Sequence, residues 1–148
     1  MDTNGLRKPD AARAYRLDEQ VGFVLRQVAQ RHASIFAAGV DGEITATQWA
    51  ALAKLAEMGP LSQNLLGRLT VMDAATIKGV IDRMVLRGLT ETRPDPSDAR
   101  RHLVSLTAAG EDLVARLIPA AQRITDETLA PLTGAERKLL AALLLKLR

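Results

Sequence analysis

The sequence predicts a mainly α-helical fold that carries one small β-hairpin. Three observations lead to this. The apolar residues are overwhelmingly Leu, Ala, Val and Ile, with Tyr15, Phe23, Phe36 and Trp49 as the only aromatics, a composition suited to helix packing. Helix-start patterns recur at Thr45, Ser62, Asp73, Thr107 and Thr133, each ahead of a stretch with helical apolar spacing. Only two strand-like runs stand out, and they flank a turn containing two prolines. With 148 residues, 47% hydrophobic and 25% charged, the chain is expected to form one globular domain.

Residues 1–9, closed by Pro9, read as a flexible tail. A long helix is expected from about Asp10 to Ala38, with Leu17, Val21, Val24, Leu25, Val28 and Ile35 on one stripe. The Gly39–Gly42 segment interrupts it. Thr45-Ala-Thr-Gln48 is a capping box: the threonine hydroxyl accepts from the N3 amide and the glutamine reaches back. The helix it opens runs through Trp49, Leu52, Leu55 and Ala56 and stops at Met58-Gly59-Pro60. Ser62 caps a short helix, Gln63 to Leu69, with Leu61 and Leu66 spaced as a hydrophobic staple.

Four residues, Thr70-Val-Met-Asp73, lead to the next helix, capped by Asp73 and ended by Gly88. Its apolar face is Ile77, Val80, Ile81, Met84 and Val85. Strands are expected at Leu89–Arg93 and Arg101–Leu106, joined by Pro94-Asp-Pro-Ser-Asp98. Thr107 caps a helix from Ala108 to about Leu129, kinked at Pro119. A second capping box, Thr133-Gly-Ala-Glu136, opens a final helix with Leu139, Leu140, Leu143, Leu144 and Leu147 on one side.

Several function classes are disfavoured. With no cysteine there is no disulfide, thiolate nucleophile, cysteine–zinc site or thiol redox sensor. His32 and His102 have no carboxylate at metal-ligand spacing, and neither a Gly-rich phosphate loop nor a nucleophile elbow is present. The expectation is a non-enzyme without metal or cofactor. No stretch reaches the roughly 18 apolar residues of a membrane span, and the N-terminus lacks a signal-peptide core, so a cytoplasmic location is expected. The net charge of +3 decides nothing, although residues 62–102 are basic with acid interleaved.

Helix, four-residue turn, helix and hairpin in that order is the layout of a winged helix-turn-helix. The second helix turns Ala75, Gly79 and Asp82 away from its core face, with Thr76 and Arg83 on one flank and Lys78 on the other. Small residues at 75 and 79 let the backbone approach another surface, and a mid-helix glycine costs roughly 1 kcal/mol against alanine. Entry into a DNA major groove supplies a reason: Lys78 and Arg83 suit phosphates or guanine edges, Thr76 suits either, and Ala75 suits a thymine methyl. Ser62 and Gln63 lie where free helix amides bind phosphate. Arg93, Arg100 and Arg101 bracket a turn stiffened by Pro94 and Pro96 and held by Asp98, a finger suited to a narrow minor groove. The alternative is a winged helix that docks acidic proteins and reads no DNA sequence.

At these residues the chain resembles the MarR family of bacterial transcription regulators. The matching stretches are Thr-Ala-Thr-Gln-Trp-Ala-Ala-Leu (45–52), Gly-Pro-Leu-Ser-Gln (59–63), Asp82-Arg83, Arg87-Gly88-Leu89 and Arg93-Pro-Asp-Pro-Ser-Asp98. Arg100, Val104-Ser-Leu-Thr107 and Gly110 follow, and Asp98-x-Arg100 matches the family's wing signature. The resemblance implies a single domain over 10–148, with 10–38 and 108–148 as dimerisation helices around a DNA-binding lobe at 45–107. It further implies a homodimer on a near-palindromic operator and a repressor released by a small aromatic acid or phenol. Where many members carry Thr and Arg in the recognition helix, this sequence has Lys78 and Gly79.

The leucine-rich last helix independently calls for a covering surface, since each buried leucine is worth roughly 1.5–3 kcal/mol. A second copy is favoured over the chain's own first helix. For the effector, Arg31 or His32 can meet a carboxylate and Phe36 or Trp49 can stack on a ring. The competing and stronger reading places Trp49 in the core and makes His32 a partly exposed helix residue.

Overall fold

In a computed structural model, residues 14–148 are described. The expected tail and the first turn of the expected leading helix lie outside them. Six α-helices and three strands follow: α1 (Val21–Gly39), α2 (Ala46–Met58), β1 (Leu61–Ser62), α3 (Gln63–Leu69), α4 (Ala74–Leu86), β2 (Thr90–Asp95), β3 (Asp98–Leu106), α5 (Ala108–Leu129) and α6 (Gly134–Leu147). The fold is mainly helical with a small hairpin wing, as expected.

Side-chain caps begin the helices where the sequence places them. Thr45 accepts from the Gln48 amide at 3.2 Å while the Gln48 side chain accepts from the Thr45 amide at 3.2 Å, closing the first capping box. Ser62 caps α3 through Leu65, Asp73 caps α4 through Thr76, and Thr133 and Glu136 close the second box. Thr107 has two partners: its hydroxyl accepts from the Gly110 amide at 3.1 Å and donates to the Gly88 carbonyl at 2.6 Å. That ties the start of α5 to the end of α4. Gly110 makes the join possible, because a Cβ there would stand 2.1 Å from the Leu89 carbonyl oxygen.

Four expectations are corrected. The leading helix is not continuous from residue 10: Leu17–Glu19 forms a single 3₁₀ turn, Gln20 is extended, and α1 starts at Val21. There the Gln20 side chain donates to the Arg16 carbonyl at 3.0 Å and its backbone amide to Leu17, closing the short turn. The wing strands are longer than expected, with only Pro96 and Ser97 between them. Pro94 is tolerated within β2 because the sheet order β1-β3-β2 makes this an edge strand, where a missing N–H need not break a ladder. The third strand, β1, was not anticipated; two residues suffice because Leu61 pairs with Val104 and Ser62 with Leu103 on a strand the hairpin already holds. Finally, Val85 is 43% exposed, since α4 rests on Ile77, Val80, Ile81 and Met84 alone.

The turn between α3 and α4 is a Schellman motif. The Met72 amide donates to Gly67 at 2.9 Å and the Val71 amide to Arg68 at 3.3 Å. Val71 holds the left-handed position, φ 57°, which ordinarily favours glycine. Gly88 fills the same place after α4 with φ 70°.

Leu52, Leu66, Ile77, Val80, Met84 and Val104 centre the core between α2, α3, α4 and the sheet. It extends along α5 through Leu113, Val114, Leu117 and Ile124, and to Phe36 and Val40 at the end of α1. Helix α5 runs unbroken through Pro119. Beyond this core the cover ends. Leu17, Val21, Val24, Leu25 and Val28 are exposed, as are Leu139, Leu143, Leu144, Leu145 and Leu147, and α6 buries no residue.

Candidate nucleic-acid interface and ligand cleft

The α4 core face fixes what the helix shows outward. With Ile77, Val80, Ile81 and Met84 buried, Ala75, Thr76, Lys78, Asp82 and Arg83 are exposed and Gly79 is half-buried. Asp73 holds the N-terminus by accepting from the Thr76 amide at 2.7 Å, the main reason its carboxyl lies below the usual aspartate value. Lys78 donates to Asp82 at 2.7 Å.

The wing stands beside this helix pair. Ser62, Gln63, Asn64 and Arg68 of the α3 region and Arg100, Arg101 and His102 of β3 line one cleft of about 360 Å³. Asn64 and Arg68 also line a smaller cleft with Met72, Ala74 and Ile77, so the surface continues to the start of α4. The expected Ser62, Gln63, Arg100 and Arg101 are thereby brought together. Asn64, Arg68 and His102 were missed; the pairing of Ser62 with Leu103 puts His102 beside α3, and that pairing depends on the unforeseen β1.

Two aspartates shape the wing tip. Asp98 accepts from the Arg100 amide at 3.0 Å and from its side chain at 3.3 Å, as a turn-holding residue should. The larger share falls to Asp95, which the sequence reading did not single out. Nearly buried, it accepts from both the amide and the hydroxyl of Ser97, at 2.8 and 2.7 Å, and pairs with Arg101 at 3.5 Å. These bonds, the Ser97 amide first, hold its carboxyl below the usual range. Arg93 pairs with Glu91 at 2.6 Å, while Arg100 keeps its side chain 92% exposed. The wing therefore presents a cation on a turn that two carboxylates brace.

Away from the wing, His32, Phe36 and Trp49 meet in a cleft of about 200 Å³ between α1, α2 and α5, closed by Ala46, Ala121, Ile124 and Thr125. Phe36 is buried, and Trp49, half-buried, both packs against the core and lines the cleft. Arg31 does not join them. Its guanidinium donates to the Thr128 carbonyl at 2.8 Å and the Glu127 carbonyl at 3.2 Å, at the end of α5. There it lines a more apolar cavity of about 510 Å³ with Leu25, Val28, Leu140 and Leu144.

His32 borders both spaces. Thr128 Oγ1 lies 2.8 Å from both His32 Nδ1 and the Ile124 carbonyl oxygen, so it joins the ring to α5. Nδ1 of His32 is thereby engaged, and Nε2 has no hydrogen-bond partner among the described residues. Among the described residues no cluster of His, Asp or Glu is placed to hold a metal ion, and no helix is long and apolar enough to cross a membrane.

Comparison with known proteins gives a consistent result. The profile of the MarR family matches residues 44–102. The HTH-type transcriptional repressor NicR of Pseudomonas putida is 38% identical over 134 residues, 90% of this chain and 85% of that protein. A solved structure of a probable transcriptional regulator from Pseudomonas aeruginosa is 53% identical, with a TM-score of 0.86 over 90% of this chain and 100% of the other. BpsR of Bordetella bronchiseptica is 40% identical with a TM-score of 0.87, covering 90% of this chain and 96% of the other; its structure concerns regulation of DNA binding by 6-hydroxynicotinic acid.

Proposed function

Because the chain belongs to the MarR family of transcriptional regulators, we propose that it is a homodimeric repressor that binds a near-palindromic operator and releases it on binding a small aromatic acid. The observation that carries the DNA reading is the unbroken surface from the start of α4 across Arg68 to Arg100 and Arg101 of the wing. A recognition helix and a cationic finger on one surface match groove reading by the helix and backbone or minor-groove contact by the wing.

The unpartnered leucines support the second copy. Leu143 and Leu144 of α6 and Val24 and Leu25 of α1 lie open in a single chain, and a two-fold partner covers them while placing two recognition helices about 34 Å apart. The effector reading rests on the cleft of His32, Phe36 and Trp49 and on the ligand named for BpsR. Nε2 of His32 faces a polar group of the ligand, and the aromatic pair takes its ring.

The test is anisotropy with labelled duplex from upstream of the protein's own gene against a scrambled duplex, titrated across salt. Selective binding that weakens about 10³-fold or more between 50 and 200 mM salt is expected for several phosphate contacts. Equal, weak binding to both duplexes would sink the sequence-reading role and leave a protein-docking wing. Addition of 6-hydroxynicotinic acid should then release the specific duplex from wild type and less readily from His32→Ala. Sedimentation should give a dimer at micromolar concentration and a monomer for the Leu143→Glu, Leu144→Glu double variant.

A further inference from the structure

The two cations on α4 are held in different ways. Lys78 Nζ donates to Asp82 at 2.7 Å, an i,i+4 pair that draws the ammonium down onto its own helix. Arg83 pairs with no acid among the described residues. Its guanidinium reaches back one turn and lies over Gly79: a Cβ built there would stand 3.4 Å from Nη1 and 3.6 Å from Nη2.

That direction follows from helix geometry, in which long side chains lean toward the N-terminus. It carries the guanidinium toward Thr76 and Ala75, the end of a recognition helix that meets base edges. Guanine offers O6 and N7 side by side in the major groove, and a planar fork of donors matches both at once. An ammonium shared with a carboxylate is a point charge without that fork. Gly79 adds an outward surface with no side chain, over which the guanidinium sits and a base pair can come close.

We propose that Arg83, seated over Gly79, reads a guanine edge in the major groove, and that Lys78 serves the phosphate backbone. Arg83 takes this role only if α4 enters DNA, as proposed above, so the experiment separates the two. The full chain first selects a duplex from a randomised pool. Each guanine of that duplex is then replaced singly by 7-deazaguanine, which lacks the N7 acceptor, and binding is read by anisotropy.

For wild type, one guanine in each half-site should be sensitive, with affinity lost about 10-fold. Arg83→Ala and Arg83→Lys should bind more weakly and be indifferent to that replacement. Lys78→Ala should bind more weakly while keeping the full sensitivity. Circular dichroism checks that each variant folds, as expected for exposed side chains. Sensitivity that survives in Arg83→Lys, that vanishes in Lys78→Ala, or that wild type never shows would overturn the assignment. Failure of wild type to enrich any sequence would instead overturn DNA reading by the chain.

Discussion

Arg116 of α5 and Glu43 of the turn before α2 form a two-pronged ion pair: Nη1 donates to Oε2 at 3.0 Å, and Nη2 donates to Oε1. The Arg116 hydrogen bond is the chief reason that the Glu43 carboxyl lies below its usual value, and it raises the Arg116 guanidinium in turn. The pair joins the longest helix to the winged lobe from outside the core. Both groups meet water, so salt should weaken the link. Arg116→Met is expected to melt below wild type in dilute buffer, with the two curves converging at about 1 M salt. A gap that stays constant across salt would mean that the arginine stem, and not its charge, provides the link.

Acid should act on three carboxylates together. Glu43, Asp73 and Asp95 are each held below their ordinary values in the folded chain. A carboxyl depressed by folding binds fewer protons in the folded than in the unfolded state. Its contribution is complete above the ordinary value, 3.8 for an aspartate, and is lost as pH falls toward the folded value. Stability should therefore be flat near neutrality and fall below about pH 4. Asp95→Asn should begin less stable at neutral pH and show a shallower acid limb in urea titrations run at successive pH values.

Gly110→Ala should be among the most damaging single-methyl changes available. The added carbon meets the Leu89 carbonyl oxygen, a backbone atom that cannot swing aside. Overpacking of this kind costs about 1–3 kcal/mol, and the rigid neighbour places this site at the upper end. Chemical denaturation would show it as a lower midpoint with an unchanged slope.

Val71→Gly should have the opposite sign. The left-handed conformation costs a β-branched residue roughly 1–2 kcal/mol, and the side chain is 94% exposed, so no packing is lost. After the larger unfolded-state entropy of glycine is subtracted, a gain of about 0.5–1 kcal/mol remains. Val71→Asn should gain as well, since asparagine tolerates this region. A loss of stability in both variants would show that Val71 is held by something other than the turn.

Local signals in the sequence translated directly into structure. Thr45, Ser62, Asp73, Thr107 and Thr133 each cap a helix through the residue three positions on, because a cap needs only near neighbours. What was missed depends on distant pairing. Leu61 and Ser62 become a strand only because β3 passes beside them, and that same pairing brings His102 to Asn64 and Arg68. Arg31 and His32 are adjacent on α1, yet the helix turn sends one to the carbonyls ending α5 and the other to the Thr128 hydroxyl. The importance of Asp95 was hidden because its partners, Ser97 and Arg101, are set by the true two-residue turn and by the strand that follows it.

Pro94 has a consequence for how these molecules live beside one another at high concentration. Strand β2 closes one side of the sheet, and an open strand edge is a template on which a neighbouring chain can continue the ladder. A residue without an N–H, followed by the irregular step to Asp95 and preceded by the charged Arg93, spoils that template near the tip of the wing. On the other side, β1 is two residues long, too short to seed growth. The finger can thus project into solvent without inviting chains to polymerise edge to edge.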